Sequence, residues 1–140
     1  MTIDTLGDVS WIGVLLAALA SYVLGALWFT PLFGRAWDAS IDHERVRGQA
    51  FGPLYYVAPL VSSILTSFAT AVLLEVTGTR ALGGAALLGV LVGTCYAAAV
   101  TFTNAVNPRT PRPVLFSVVT GSYHVVSIVV GALVLAALSG

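Results

Sequence analysis

The chain has 140 residues, of which 58% are hydrophobic and only 9% charged, and its mean hydropathy is +0.96. A soluble domain carries roughly 25% charged and 45–50% apolar residues, so this composition excludes an ordinary water-soluble globule. Six arginines, six acids and no lysine give a formal net charge of zero, which excludes the basic footprint of a nucleic-acid binder, while the single cysteine excludes an intrachain disulfide and no Cys/His cluster has zinc spacing.

Crossing a hydrocarbon core of about 30 Å takes about 20 mostly apolar residues in a helix. Four such runs are present, at residues 10–29, 54–74, 81–103 and 114–138. They predict an all-α, four-helix transmembrane bundle, a single integral membrane domain with no separate soluble part. A membrane β-barrel is excluded by pattern, because barrel strands are short and alternate with period two, whereas these runs are long and continuous. The first run includes Ala18-Leu19-Ala20, which resembles a signal-peptide cleavage site. The residues ahead of it carry Asp4 and Asp8 and no Arg or Lys, the reverse of a signal n-region, so the run is expected to stay as a span.

The first span should end near the membrane surface. Pro31 interrupts the helix, Gly34 permits a turn, and Trp28, Phe33 and Trp37 are suited to the headgroup layer. The loop that follows alternates its charges through Arg35, Asp38, Asp42, Glu44, Arg45 and Arg47. It reads equally as a short surface helix or as a solvated connector. Pro59 lies inside the second span and is expected to kink it, with Ser62, Ser63 and Thr66 near the freed carbonyls. Between the second and third spans, Glu75 and Arg80 flank a tight turn and are positioned to pair.

In lipid, helices associate through close backbone approach and polar contacts. The third span is best equipped for this, since Ala81, Ala85, Gly89, Gly93 and Ala97 recur every four residues. Ala17, Ser21 and Gly25 on the first span and Pro59, Ser63, Ser67 and Ala71 on the second repeat the spacing. Such ridges serve either an oligomer interface or packing inside one bundle, and the sequence leaves both open. Cys95 reads as a small apolar filler.

One ionisable residue lies at bilayer depth. His124 sits near the centre of the fourth span, beside Tyr123 and with Ser117, Thr120, Gly121, Ser127 and Gly131 at helical spacing. An intramembrane ionisable group is a functional-site hypothesis by default. His124 is thus either a proton relay or ligand-recognising group, or a neutral imidazole bonded to a hydroxyl of another helix. No carboxylate partner lies at the same depth.

Five of the six arginines fall in the first and third loops, and Arg80 alone falls on the opposite side. The positive-inside bias then places both termini outside the cytoplasm, in a multi-pass protein of the inner or plasma membrane.

The segment Gly25-Ala-Leu-Trp28-Phe-Thr-Pro31-Leu-Phe33-Gly34-Arg35-Ala-Trp37 closely resembles the first-helix signature of the DUF1761 family of small bacterial membrane proteins, whose typical form is Gly-x-Leu-Trp-Tyr-x-Pro-Leu-Phe-Gly-Lys-x-Trp. Gly121-Ser-Tyr123-His124 and the apolar run after it are similar to that family's last helix. This chain departs in Phe29 where Tyr is usual and Arg35 where Lys is usual. The resemblance implies a compact four-helix membrane protein and brings no established activity, cofactor or catalytic residue. The motif has two physical readings, an aromatic anchor in the headgroup layer or a lipid groove in which Arg35 touches a phosphate.

The expectation is therefore a non-catalytic membrane protein that packs, oligomerises or serves as an accessory subunit, with no cofactor and no metal. Its partners are expected to be the lipid bilayer and either further copies of itself or another membrane protein, and not nucleic acid. The alternative is a small transporter or channel using His124, hydroxyls and aromatic groups. An enzyme is disfavoured by the lack of a nucleophile with its base, paired carboxylates or a metal-binding set.

Overall fold

The computed structural model describes residues 7–46 and 48–139. The helix α1, Trp11–Leu27, begins at Ser10, whose hydroxyl accepts from the Gly13 N–H at 3.2 Å. It runs on without a break into a π turn, Trp28–Leu32, and the short helix α2, Gly34–Ser40, follows. Helix α3 covers Pro53–Thr77. The third span is built in three pieces, α4 (Leu82–Val92), a π turn (Gly93–Ala98) and α5 (Ala99–Ala105). Helix α6, Pro113–Leu138, closes the chain. Of the charged first loop, Arg35 and Asp38 lie on the short helix α2, which packs on α6, and Asp42, Glu44 and Arg45 lie on irregular chain after it.

Four rods are long and apolar enough to cross a membrane: Trp11–Leu32, Pro53–Thr77, Leu82–Ala105 and Pro113–Leu138, with hydropathies between 1.9 and 2.1. The shortest, at 22 residues, is about 33 Å long at 1.5 Å per residue, enough for the hydrocarbon core. Its end lies three residues past the expected Phe29. Pro31 has no N–H to give and its ring crowds the preceding turn. The wider π turn absorbs both defects, with the Phe33 N–H reaching back to the Trp28 carbonyl at 2.8 Å, so the rod passes through Pro31 before it stops.

The rods do not form a square. Helix α6 is the hub, packed against α1, α3, α4, the second π turn, α5 and α2. Helices α1 and α3 pack on each other and on α6, whereas the third rod packs on α6. The apolar core is made of small side chains, among them Val14, Ala17, Ala71, Ala85, Ala132 and Ala136, with Leu74 and Leu135 as the largest members. Small residues let helix backbones approach closely, the contact that holds helices together where solvent supplies no hydrophobic drive. The large residues face outward: Ile12, Leu15, Leu19, Leu65, Leu87 and Val118 are all more than half exposed, a surface suited to lipid chains.

At one end of the bundle, Asp8, Ser10, Glu75, Arg80 and Ser139 line one polar depression. Glu75 and Arg80 form the expected pair, two parallel bonds of 2.7 and 2.5 Å, across a turn that Gly78 closes at φ 63°. Only glycine takes that left-handed conformation without penalty. The hydrogen bonds and charge of Glu75 raise the Arg80 guanidinium above its ordinary pKa. At the other end the Arg112 N–H donates to the Ser40 carbonyl at 3.2 Å, which ties α2 to the start of α6.

Candidate functional site

Two places in the fold concentrate polar and aromatic groups. The first is the turn that ends α1. By taking its hydrogen bonds five residues apart, the π turn leaves the Phe29 carbonyl to another donor, and Arg45 Nη2 fills the role at 2.6 Å. The same guanidinium pairs through Nε with Asp38 Oδ2 at 2.5 Å. Asp38 is buried in α2, and its second oxygen, Oδ1, is sealed from solvent without a hydrogen-bond partner among the described residues. Arg45 therefore clasps the end of α1 to α2.

The motif residues build this clasp from within. A Cβ on Gly34 would stand 2.8 Å from the Phe29 carbonyl oxygen and 3.1 Å from Arg45 Nη2, so a larger residue there would push the guanidinium off its acceptor. A Cβ on Gly25 would come within 2.9 Å of the Tyr123 hydroxyl. Trp28 donates from Nε1 to the Val119 carbonyl of α6 at 3.0 Å, and its ring meets Phe33 at 4.5 Å and Tyr123 at 6.3 Å. Phe29 lies between Tyr123 at 5.0 Å and Trp37 at 5.9 Å, edge-on to both. Gly25, Trp28, Pro31, Phe33, Gly34 and Trp37 thus belong to one knot between α1, α2 and α6. Arg35 does not join it: it is exposed and makes no side-chain hydrogen bond or ion pair among the described residues.

The second place is the middle of the bundle. Ser21, Ser63, Ser67, Thr70 and Ser127 are all buried where α1, α3 and α6 converge. The Tyr123 hydroxyl donates to the Ser21 carbonyl at 3.3 Å, and the Ser21 hydroxyl to the Ser127 carbonyl at 3.4 Å. A Cβ on Gly131 would meet Ser21 Oγ at 3.7 Å and Ser67 Oγ at 4.0 Å, so three helices meet at that glycine. Tyr123 and Ser127 are thereby joined to α1. Ser117 spends its hydroxyl on its own helix, donating to the Pro113 carbonyl at 2.7 Å. Thr120 Oγ1 is sealed without a partner among the described residues. The His124 ring lies 5.2 Å from that of Tyr123, half-buried, and makes no hydrogen bond among the described residues. The surface depressions of about 500 Å³ at the two ends of the bundle, lined by Arg112–Val118 and by the Asp8–Ser139 group, do not reach it. Among the described residues no three His, Cys, Asp or Glu side chains gather as a metal site would require.

The glycine ridge of the third rod faces inward. Cβ atoms on Gly89 and Gly93 would stand 2.8 Å from the Val129 Cα and 2.7 Å from the Val125 Cα, and Ala85 is fully buried. Ala97 and Ala98 are both half-buried, Ala98 lying 3.4 Å from where a Gly121 Cβ would stand. The four-residue series resumes at Thr101 and Ala105: a regular α-helix would rotate such a series off α6, and the wider π turn holds it on the inward face.

Sequence reasoning missed the Asp38–Arg45 clasp, because the Phe29 carbonyl is freed by the shift to five-residue hydrogen bonds and not directly by the missing N–H of Pro31. It also missed the reach of Tyr123 to Ser21 and the partnerless hydroxyl of Thr120. With the geometry in place, the comparison with known families is decisive, since the family described as "Protein of unknown function (DUF1761)" matches residues 12–136. The chain belongs to the DUF1761 family. No curated protein and no solved structure matches it. In this DUF1761 chain the family match takes in all four rods and both polar sites.

Proposed function

We propose that this DUF1761 chain is a non-catalytic membrane protein that acts by assembling, with copies of itself or as an accessory subunit, rather than by converting or moving a substrate. The observation that supports the reading is the closure of the bundle's middle. Gly89 and Gly93 abut the α6 backbone, Ser21 and Ser67 converge on Gly131, and neither surface depression extends to His124. Contacts at backbone distance are of the kind that build structure. The clasp at Asp38 and Arg45 has the same character, since it fixes a turn.

A second reading, a small transporter or channel, is favoured by one observation. His124 lies at bilayer depth without a hydrogen bond, one helical turn from the sealed hydroxyl of Thr120, and unpaired polar groups in a span commonly mark an ion or proton route. One experiment separates the two. Purified protein is reconstituted into vesicles loaded with a pH-sensitive dye, and proton leak is compared for the native chain and His124→Ala. The assembly reading expects equal leak from both; a leak that disappears in His124→Ala overturns it.

A further inference from the structure

We propose that the first two turns of α6 hold one anionic phospholipid, with its phosphate on Arg112 and an acyl chain in the depression below. That depression, of about 500 Å³, is lined by Arg112, Pro113, Val114, Leu115 and Val118. One cationic group therefore stands over an apolar floor. Val114 and Val118 lie one helical turn apart on a shared face, and are 67% and 62% exposed. The site goes beyond the assembly reading above and does not depend on it.

Charge and depth select the occupant. Arg112 immediately precedes the first residue of α6, which puts it at the level of the lipid headgroups, while Val114, Leu115 and Val118 follow into the hydrocarbon. From head to tail this is the polarity sequence of a phospholipid. Arg112 and Arg109, three residues before it, are both exposed, and neither side chain has an acidic partner among the described residues. A guanidinium binds phosphate oxygens through its planar fork, and two guanidiniums without a carboxylate beside them favour a headgroup that is net negative. The ammonium of a zwitterionic lipid would meet like charge there. The backbone at both arginines is fixed in advance: the Arg112 N–H donates to the Ser40 carbonyl at 3.2 Å, and the Arg109 N–H to Asn107 Oδ1 at 2.8 Å. With only Thr110 and Pro111 between them, their Cα atoms are at most about 11 Å apart.

Size argues for a lipid over a protein. A stable protein interface takes about 800 Å² and about 20–30 residues from each side, whereas five residues line this depression. A single lipid is a partner of that extent. Arg35, the arginine of the first-helix motif, is not among the lining residues, so the phosphate is assigned to the start of α6 and not to α2.

The test is a competition between two lipids. Native protein in mild detergent is mixed with phosphatidylglycerol and phosphatidylcholine of identical acyl chains, and the lipids and subunits retained per particle are counted by native mass spectrometry. The expected result is one phosphatidylglycerol per chain, preferred over phosphatidylcholine about tenfold. Arg112→Gln, which leaves the bond from its backbone N–H in place, should cut that preference about fivefold, the worth of one basic residue at an anionic surface. Arg35→Gln should leave it unchanged. Val118→Trp should fill the depression and lower the retention of both lipids, while Leu19→Trp, the same bulk on the outer face of α1, lowers neither. Equal retention of the two lipids, a preference that survives Arg112→Gln, or an equal loss with Arg35→Gln overturns the site. Displacement of the lipid by millimolar inorganic phosphate, with Val118→Trp without effect, marks a free-phosphate site and overturns the lipid as occupant. A dimer or a second protein that Val118→Trp releases overturns it likewise.

Discussion

Arg45 carries two loads with one planar group. Its Nη2 satisfies the Phe29 carbonyl that the π turn leaves without a helical donor, and its Nε neutralises a carboxylate buried in α2. A lysine ammonium is a point charge on a flexible stem and does not bridge two acceptors in this way. Arg45→Ala should lower the stability of detergent-solubilised protein by about 2 kcal/mol, since it strands a charged group and a carbonyl together. Arg35→Ala, at an exposed position with no partner, should stay within about 0.5 kcal/mol of native in the same thermal-unfolding assay. Glycines offer a second contrast. Gly93→Ala puts a methyl 2.7 Å from the Val125 Cα and should cost about 1–3 kcal/mol of overpacking. Gly83→Ala meets nothing within 4 Å and should be neutral or stabilise by up to about 1 kcal/mol, because alanine loses less backbone entropy in a helix.

The two π turns show how an element keeps a face while changing its spacing. In α1 the cause is visible, because Pro31 cannot join an α-helical ladder. In the third rod the extra residue lies within Gly93–Ala98, where an alanine run offers several equivalent ways to close the turn and marks none of them. This divides what the sequence makes legible. The four apolar runs, the inward ridge as far as Gly93 and the Glu75–Arg80 pair follow from composition and local spacing. The π turn that keeps the four-residue series inward as far as Ala105, the join between Tyr123 and Ser21, and the choice of α6 as hub do not. They depend on which rods are neighbours, and apolar surface that lipid covers as readily as protein does not choose neighbours. Asp38 and Arg45 were hidden for another reason: several opposite charges crowd the same loop, and only the freed Phe29 carbonyl singles out Arg45. The π turn itself makes a prediction. Deleting Ala99 should return the rod to regular α-helix with its inward face intact, so the protein should keep its native elution volume and unfold within a few degrees of native. Deleting Leu87 from regular α4 should rotate everything before it off α6, and the protein should elute as aggregate.

At the scale of the whole molecule, the ends of the bundle differ in charge. The Arg80 end carries one arginine, whereas the opposite end carries Arg35, Arg45, Arg109 and Arg112, with Arg47 beyond the described residues. The positive-inside bias sets orientation by such counts. In a Cys95→Ser background, a thiol placed at Ser139 should therefore react with an impermeant maleimide in intact cells, and one placed at Gln49 should react only after lysis. The opposite pattern would invert the bundle.

The order in which the chain is made gives its architecture a temporal side. Rods one and two can pair as soon as both have left the ribosome, because α1 and α3 touch directly. The third has its docking surface on α6, which is synthesised after it, so for the time needed to translate some thirty further residues it floats beside its siblings without a berth. Polypeptides that stop short of α6 should accordingly retain one loosely tethered hydrophobic segment, a natural mark for membrane quality-control proteases, and completion of the final segment becomes the event that commits the newborn protein to survival.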